Sequence, residues 1–570
     1  MKKVLIVLAV LVVIIAAAAL GANYYLQMKM SQEVDRFIKG LPELITGSYD
    51  RVSYSLLDRK LSIPNLKLQF KKEDAKNLEI AKIEIQDPNL GAWDKMFSDS
   101  SGGGSRQKLA KSVIFTNYRT YDKSAAAVVS QLTLTEPSAG PFPFPSSTSI
   151  KDVFSEKNLP KVMTAVAAAQ FEMVKLEATE PANKKMIGSL ARLTIKDIDG
   201  GRIGQLVMEN LEAQGGERQR VFLKSLRADK LDHSELLGLL AQGKTPEQGT
   251  GNLINFDRVT LSGLEISSPQ AENVKVQEVS LSNYKKIGLV PASLLFDLKG
   301  LALEVGKLDD EKAREGLKML GYEQLFINVI LDFNWVAQDK RFDLRKFSVG
   351  VKDAADLILS FSLDGVDLAG VAAPADALSL LGGMLLKKVE LRYTDASLLN
   401  RALKLAAQAN GLAPEEFREM LIQQVKSQDV SLGGISSPKV TESLIAFLQN
   451  PRSLTLVAEP KAPLPFMMMA GQVKHAPDRL VADLNLSLTV NDLAPIKIET
   501  KPVGPASPQT SAPQPEKPKA EPQKKPEAGT EPAPKAAKEF KIKSWQDLFK
   551  MKPGPSTADE GGEIKAVPLK

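Results

Sequence analysis

The chain has 570 residues, 43% apolar and 25% charged, a globular balance in a chain too long for one ordinary core, so several domains or one elongated repetitive one are expected. It contains no cysteine, which excludes disulfides, Cys-ligated zinc, iron–sulfur clusters and a thiol nucleophile. Net charge is +6, but residues 501–570 hold 13 lysines against 9 acidic residues, so the body is near neutral and shows no bias towards nucleic acid.

Met1-Lys2-Lys3 precedes an uncharged apolar run, Val4 to Ala22. At about 1.5 Å per residue this spans roughly the ~30 Å hydrocarbon core of a bilayer. Asn23-Tyr24-Tyr25 places two aromatic rings at headgroup level, and the two lysines keep the N-terminus cytoplasmic. Residues 1–26 therefore read as a single-pass anchor in a bacterial inner membrane, with the body in the periplasm. The alternative is a cleaved signal peptide with Ala19-Leu20-Gly21 as its small-x-small site, for which the apolar run is long.

Residues 27–45 are expected to hold a juxtamembrane helix, with Val34, Phe37, Ile38 and Leu41 at helical spacing. From residue 46 one figure recurs, φ-x-φ-x-x-φ-x-φ, where φ is apolar and x polar or small. It is cleanest in Val259-Thr260-Leu261-Ser262-Gly263-Leu264-Glu265-Ile266 and again from Val274 to Leu281. Alternation marks a strand with one buried face, and the extra residue in the middle marks a β-bulge or kink. Strict copies begin at residues 61, 259, 274, 342 and 361, against about two expected by chance. Looser copies include Leu78 to Ile85, Val113 to Thr120, Ala127 to Leu134, Leu193 to Gly200, Leu206 to Ala213, Phe296 to Leu303 and Met384 to Leu391. The figure divides the body into a β-repeat region, 46–304, and a second with helical insertions, 305–500.

Helices are expected over Asn158 to Glu177, Ser234 to Gln242, Asp309 to Leu320, Ala396 to Lys426 (two, parted at Gly411) and Thr441 to Leu448, with strands at Leu454 to Ala458 and Leu480 to Val490. Residues 501–539 form a Pro/Lys/Glu-rich linker that cannot bury enough apolar surface to fold. Residues 540–552 carry an apolar helical stripe, Phe540, Ile542, Trp545, Leu548 and Phe549, flanked by lysines. This reads as a tethered docking helix for a protein groove, an anionic membrane or the chain's own body. A disordered tail, 553–570, follows.

Catalytic chemistry is scarce. His233 and His475 are far apart and read as ordinary surface residues, and no metal or cofactor is expected. Gly238 to Thr245 matches G-x-x-x-x-G-K-[ST], but a helix precedes it and Pro246 follows, so it reads as a helix end and not a phosphate loop. Asp197-Ile198-Asp199-Gly200 lacks the later ligands of a calcium loop and reads as a strand-end turn. Nothing nominates an enzyme.

The expected fold is thus α+β and β-rich: a transmembrane helix, an elongated twisted antiparallel-type sheet of repeated short strands with helical insertions, and a disordered tail. The anchor together with strands such as Leu78 to Ile85 and Val259 to Leu281 resembles the AsmA-like superfamily of bacterial envelope proteins. The helical stretch 396–450 and the Pro-rich tail depart from that pattern. The resemblance implies a twisted sheet with an apolar concave face suited to acyl chains, and a role in phospholipid transport or outer-membrane maintenance. The face would include Leu61, Ile63, Ile80, Ile83, Leu261, Ile266, Val276 and Leu281. Packing of these residues against the inserted helices is the competing expectation, and an envelope scaffold working through residues 540–552 is the competing function.

Overall fold

The computed structural model describes residues 45–497, apart from 56–57, 71–76, 90, 93–104, 123–124, 141–157, 181–184, 216–218, 245–253, 268–272, 288–289, 369–381, 428–437 and 492. Among the described residues every strand belongs to one antiparallel sheet. β1 (Ile45–Ser48) and β2 (Ser53–Ser55) share the outer edge of β3 (Lys60–Phe70), which pairs on its other side with β4 (Asn77–Gln86). Pro64 lies in the gap between β1 and β2, where its missing N–H has no partner to lose, and its carbonyl accepts from Asp50 N–H at 3.1 Å.

The meander continues past β5 (Gln107–Lys108) through β6 (Ser112–Tyr121) and β7 (Ala126–Thr135), then past β8 (Ser138–Ala139) to β9 (Val166–Glu180). Next come β10 (Lys185–Asp199), β11 (Arg202–Gln214), β12 (Arg220–Asp232), β13 (Arg258–Ser267), β14 (Val274–Ile287) and β15 (Val290–Glu304). β16 (Gln324–Val336), β17 (Arg341–Val351), β18 (Ala355–Asp364) and β19 (Leu385–Asp395) follow, each beside its predecessor. β19 pairs with β20 (Ser453–Ala458) and, near its start, with β21 (Leu464–Pro465). β22 (Leu486–Val490) and β23 (Ile496–Lys497) end the sheet. At about 4.8 Å per strand, β3 and β22 lie roughly 75 Å apart along the hydrogen-bonding direction. The sheet crosses position 304 without a break.

The eight-residue figure is a crease. On β3 and β4, Pro64 pairs with Lys82 and Leu66 with Ile80, so Asn65 faces Ala81 and no residue is inserted. Both strands reverse their alternation together. The same step recurs strand after strand, forming a column: Asn65, Asn117, Lys175, Asn210, Gly263 and Gly300 take φ of 50–62°, with Ala81, Ser130, Ala191, Lys224 and Gln277 on the strands between. Glycine adopts that left-handed conformation freely and asparagine tolerates it. The opposed Cβ atoms crowd: one added to Gly263 would lie 2.8 Å from that of Lys224. The column ends at β16, where Asn328 alone faces Lys299 and Gly300 and its Oδ1 accepts from Gly300 N–H at 2.8 Å.

The helices are α1 (Leu159–Ala165), α2 (Ser234–Ala241), α3 (Glu311–Met319), α4 (Leu398–Ala409), α5 (Pro414–Ser427), α6 (Pro438–Gln449), α7 (Phe466–His475) and α8 (Pro477–Leu484). α3 starts at Asp310, whose carboxylate accepts from Ala313 N–H, and stops at Gly321 with φ 79°. α4, α5 and α6 share a core that includes Leu403, Phe417, Leu421 and Leu448. Val440 of α6 packs with Leu488 and Val490 of β22, so this bundle is fastened to the last strands.

Four expectations need correction. The long strands run to 10–15 residues, not eight, because pairing continues past the ends of the figure. Of the helix expected over 158–177 only α1 forms; from Val166 the chain is β9, whose residues Gln170 to Val174 pair with both β7 and β10. Pro477 to Leu484 is a helix, and Asn485, with φ 48°, turns the chain into β22. The copy beginning at Phe361 leaves the sheet after Asp364: Gly365 takes φ 76°, and Val366 and Leu368 pack beside Trp335. Val4–Ala22, the juxtamembrane stretch Ser31 to Leu44, and residues 498–570 with Phe540, Ile542, Trp545, Leu548 and Phe549 lie outside the described residues. Among the described residues no helix is long and apolar enough to cross a membrane.

Candidate functional site

The strand pairs, followed from neighbour to neighbour, trace an unbroken row of apolar side chains. Ile63, Ile83, Phe115 and Leu132 open it. Met173, Leu193, Met208, Leu226, Leu261 and Val279 carry it through β9–β14. Leu298, Val329, Val349, Leu357, Tyr393, Leu454 and Val490 complete it. A second row runs from Leu61 through Val259 and Leu281 to Leu488. A third, across the crease, runs from Leu66 and Ile80 through Leu264 and Val276 to Ile327 and Val351. On β16 Ile327, Val329 and Leu331 carry all three in strict alternation, so the rows share one face. The crease is what allows it: without the reversal, Leu66 and Leu68 would point opposite to Leu61 and Ile63.

The opposite face is polar. Its central row reads Ser62, Glu84, Ile114, Thr133, Glu172, Thr194, Val207, Arg227, Thr260, Ser280 and Asp297, polar at all but Ile114 and Val207. Ion pairs lace it, including Lys60–Glu84, Arg192–Glu172 at 3.5 Å and Lys299–Glu278 at 2.8 Å. Lys60 and Lys82 hold the Glu84 carboxyl below the usual range against the opposing effect of its burial. A shallow hollow of about 200 Å³ beside Arg220, Phe222, Glu265 and Ser267 also lies on this side, small for a ligand site.

All eight residues singled out from the sequence fall on the apolar face. They do not share one environment. Leu61, Ile63, Ile80 and Ile83 are 0–1% exposed, as is Phe115. Leu261 and Leu281 are half-buried, Ile266 is 38% exposed, and only Val276 in this group is buried. Leu193, Met208, Leu226, Val279 and Leu298 are also half-buried, and Leu357 is 42% exposed. Among the described residues, the apolar clusters that hold α3 to α6 and α8 contain no residue of β9–β14. α2 sits at a strand end, with Leu237 against the Gly201 turn. Packing against the inserted helices therefore accounts for the last strands and the strand ends, not for the middle of the face.

Other motifs resolve as structure. α2 ends where the phosphate-loop look-alike begins its second half: Gly243 takes φ 72° and Lys244 N–H donates to the Leu239 carbonyl. Asp197 is part of a second, shorter crease, facing Gly204, and the turn itself falls at Gly200-Gly201. Asp199 pairs with Arg106. His475 is exposed, but His233 is half-buried with Nδ1 unpartnered, and burial lowers its pKa, Asp232 opposing. Among the described residues no cluster of metal-ligating side chains is present.

Sequence reasoning missed Met173 and Phe171, hidden in an alanine-rich stretch. The signal was present: Phe171, Met173, Leu176 and Ala178 stand at the four apolar positions of the figure, with Lys175 at the left-handed step.

Fold and face together define a class: a single-sheet protein with one apolar and one charged surface. A protein family described as an uncharacterized protein matches residues 348–491, from within β17 to just past β22. The chain is also similar to an uncharacterized protein of Aquifex aeolicus (strain VF5), 26% identical over 164 residues, covering 27% of this chain and 55% of that relative.

Proposed function

We propose that the protein holds lipid acyl chains on the apolar face of its sheet. In this reading Val4–Ala22 anchors it in the inner membrane of a bacterium, the body stands in the periplasm, and the protein serves phospholipid transport or outer-membrane maintenance, as the AsmA-like resemblance implies. The observation that carries the reading is the apolar face that continues from strand to strand, with its first row only partly buried on every strand from β9 to β14 and its other two rows there withdrawn from solvent only at Leu190, Leu223, Ala228 and Val276. A soluble protein rarely leaves so continuous an apolar surface without an occupant. An acyl chain lying along it gains about 0.8 kcal/mol for each methylene removed from water, with no directional bond needed. The charged opposite face keeps the loaded sheet soluble.

The test is uptake of a fluorescent phospholipid by the purified, delipidated full-length protein. Leu261→Glu places a charge in the first row, whereas Thr260→Glu places one on the opposite face of the same strand. The expected outcome is uptake by the parent and by Thr260→Glu, with severalfold loss in Leu261→Glu and unchanged circular dichroism in all three. No uptake by the parent, or equal loss in both variants, would overturn the proposal.

A further inference from the structure

A side chain on one face of a sheet is withdrawn from water only where a second layer lies over it, and the half-buried rows of β9–β14 show the same face without one. On β3, β4, β6 and β7 the rows are dry. Ile63, Ile83 and Phe115 are fully buried, and Leu66, Ile80, Tyr118 and Val129 across the crease are at most 3% exposed. The polar side of the same strands is not sealed, since Ser62, Thr116 and Thr133 are half-buried. A layer therefore covers the apolar side of these four strands. It stops between β7 and β9, where Met173 and Leu176 are again half-buried.

Among the described residues no helix supplies that layer. α1 and α2 pack on each other beside the Gly200-Gly201 turn. The apolar clusters that hold α3 to α6 and α8 contain no residue of β3–β7, and α7 follows β21, with Phe466 N–H donating to the Met384 carbonyl.

The chain itself arrives at this end of the sheet. Ile45 opens β1 opposite Phe70, at the margin of the face beyond the pair Leu68–Leu78. Just before it, Val34, Phe37, Ile38 and Leu41 make one stripe at helical spacing, with Arg36 and Lys39 opposite. As a helix, residues 31–41 would run about 16 Å. The four long strands from β3 to β7 span about 14 Å between the outer two. Pro42 ends such a helix, and residues 42–44 reach about 10 Å, enough to pass from the edge strand onto the neighbouring face. Length, reach and a one-sided apolar stripe all match the two rows that flank the crease.

We infer that the segment before β1, residues 31–41, lies across β3, β4, β6 and β7 and seals the central rows of the apolar face with Val34, Phe37, Ile38 and Leu41. The inference does not rest on the acyl-chain reading. Joined to it, the inference starts the rows open to lipid at β9, roughly 19 Å along the sheet from β3.

The test replaces Phe37 with photoreactive benzoylphenylalanine in the full-length protein held in lipid nanodiscs, with Lys39 replaced in the same way as the control. Irradiation and peptide mass spectrometry are expected to join position 37 to β3, β4, β6 or β7 of its own chain, and position 39 severalfold less. Adducts from 37 to lipid alone, or to none of these strands, would overturn the inference. Adducts found only at twice the chain's mass would overturn it in favour of a second copy.

A second measurement uses the absence of native cysteine. Maleimide labelling of Ile83→Cys is expected to rise severalfold when Val34→Asp and Phe37→Asp are added, and to stay at the parent level with Arg36→Asp and Lys39→Asp. No rise with the first pair would assign the cover to another segment and overturn the inference. The photoreactive variant keeps the aromatic side chain, so its result stands even if the aspartate pair unfolds the sheet.

Discussion

Strands β3–β7 and strands β9–β14 carry the same figure, the same crease and the same three rows, but the first group is sealed, whereas the second is only partly buried apart from Leu190, Leu223, Ala228 and Val276. Ile83 and Leu261 occupy equivalent places in one continuous row, and only Ile83 is fully withdrawn from solvent. The comparison separates two properties usually read together. Alternation decides which face a side chain joins; the cover over that face decides whether it becomes core. In the sealed end the rows act as a core that stabilises the sheet, and in the second stretch the same chemistry stays partly exposed.

The contrast is open to direct attack by substitution. Phe115→Ala, in the sealed stretch, is expected to cost about 3–5 kcal/mol, as large aromatic truncations in dry cores do. Leu261→Ala, in the open stretch, is expected to cost about 1 kcal/mol, since its side chain is only half withdrawn from water. Hydrogen exchange in the strands flanking each site measures both, and equal costs would dissolve the distinction.

Tyr118 sharpens it through pH. Its hydroxyl is buried without a partner, and burial pushes its pKa up to about 12. The folded state thus disfavours the phenolate, so the stability this tyrosine permits is complete below pH 10 and lost as pH rises towards 12. The loss reaches about 2–3 kcal/mol. Tyr118→Phe should remove it, which parallel alkaline melts of parent and variant would show.

The crease gives the next effect. Gly263→Val forces a branched residue into a left-handed step against Lys224 and should cost about 1–3 kcal/mol, whereas Asn210→Gly at the same column should be neutral within a few tenths. Thermal melts of the two variants check this, and equal effects would mean the column is incidental. The smallest effect belongs to His233. Burial lowers its pKa, so the folded state prefers the neutral ring; the associated stability is present above the ordinary histidine pKa and fades as pH falls below it. His233→Gln should flatten that acid slope in melts between pH 7 and 5, and an unchanged slope would assign it elsewhere.

How much of this was readable beforehand follows from range. The figure around Gly263, the helix α3 and the break at Gly411 are local events within a few residues, and each was legible in the sequence. The rows were not, because they arise from register between strands far apart in the chain: Leu261 meets Leu226 on one side and Val279 on the other. β9 was misread as helix because alanine favours helix locally, and only pairing to β7 and β10 overrides that preference. The exposure of Phe466, Met467 and Met468 on α7 was invisible for a related reason: an apolar run does not say by itself whether anything packs over it.

The central claim is that the open rows are a binding face and the sealed rows are a core. Cysteine labelling of full-length protein with and without added phospholipid tests it at Ile83, Leu261 and Thr260, each changed singly to cysteine. The account predicts no labelling at 83 in either state, labelling at 261 that lipid suppresses, and labelling at 260 that lipid leaves unchanged. Labelling at 261 that is indifferent to lipid would contradict it.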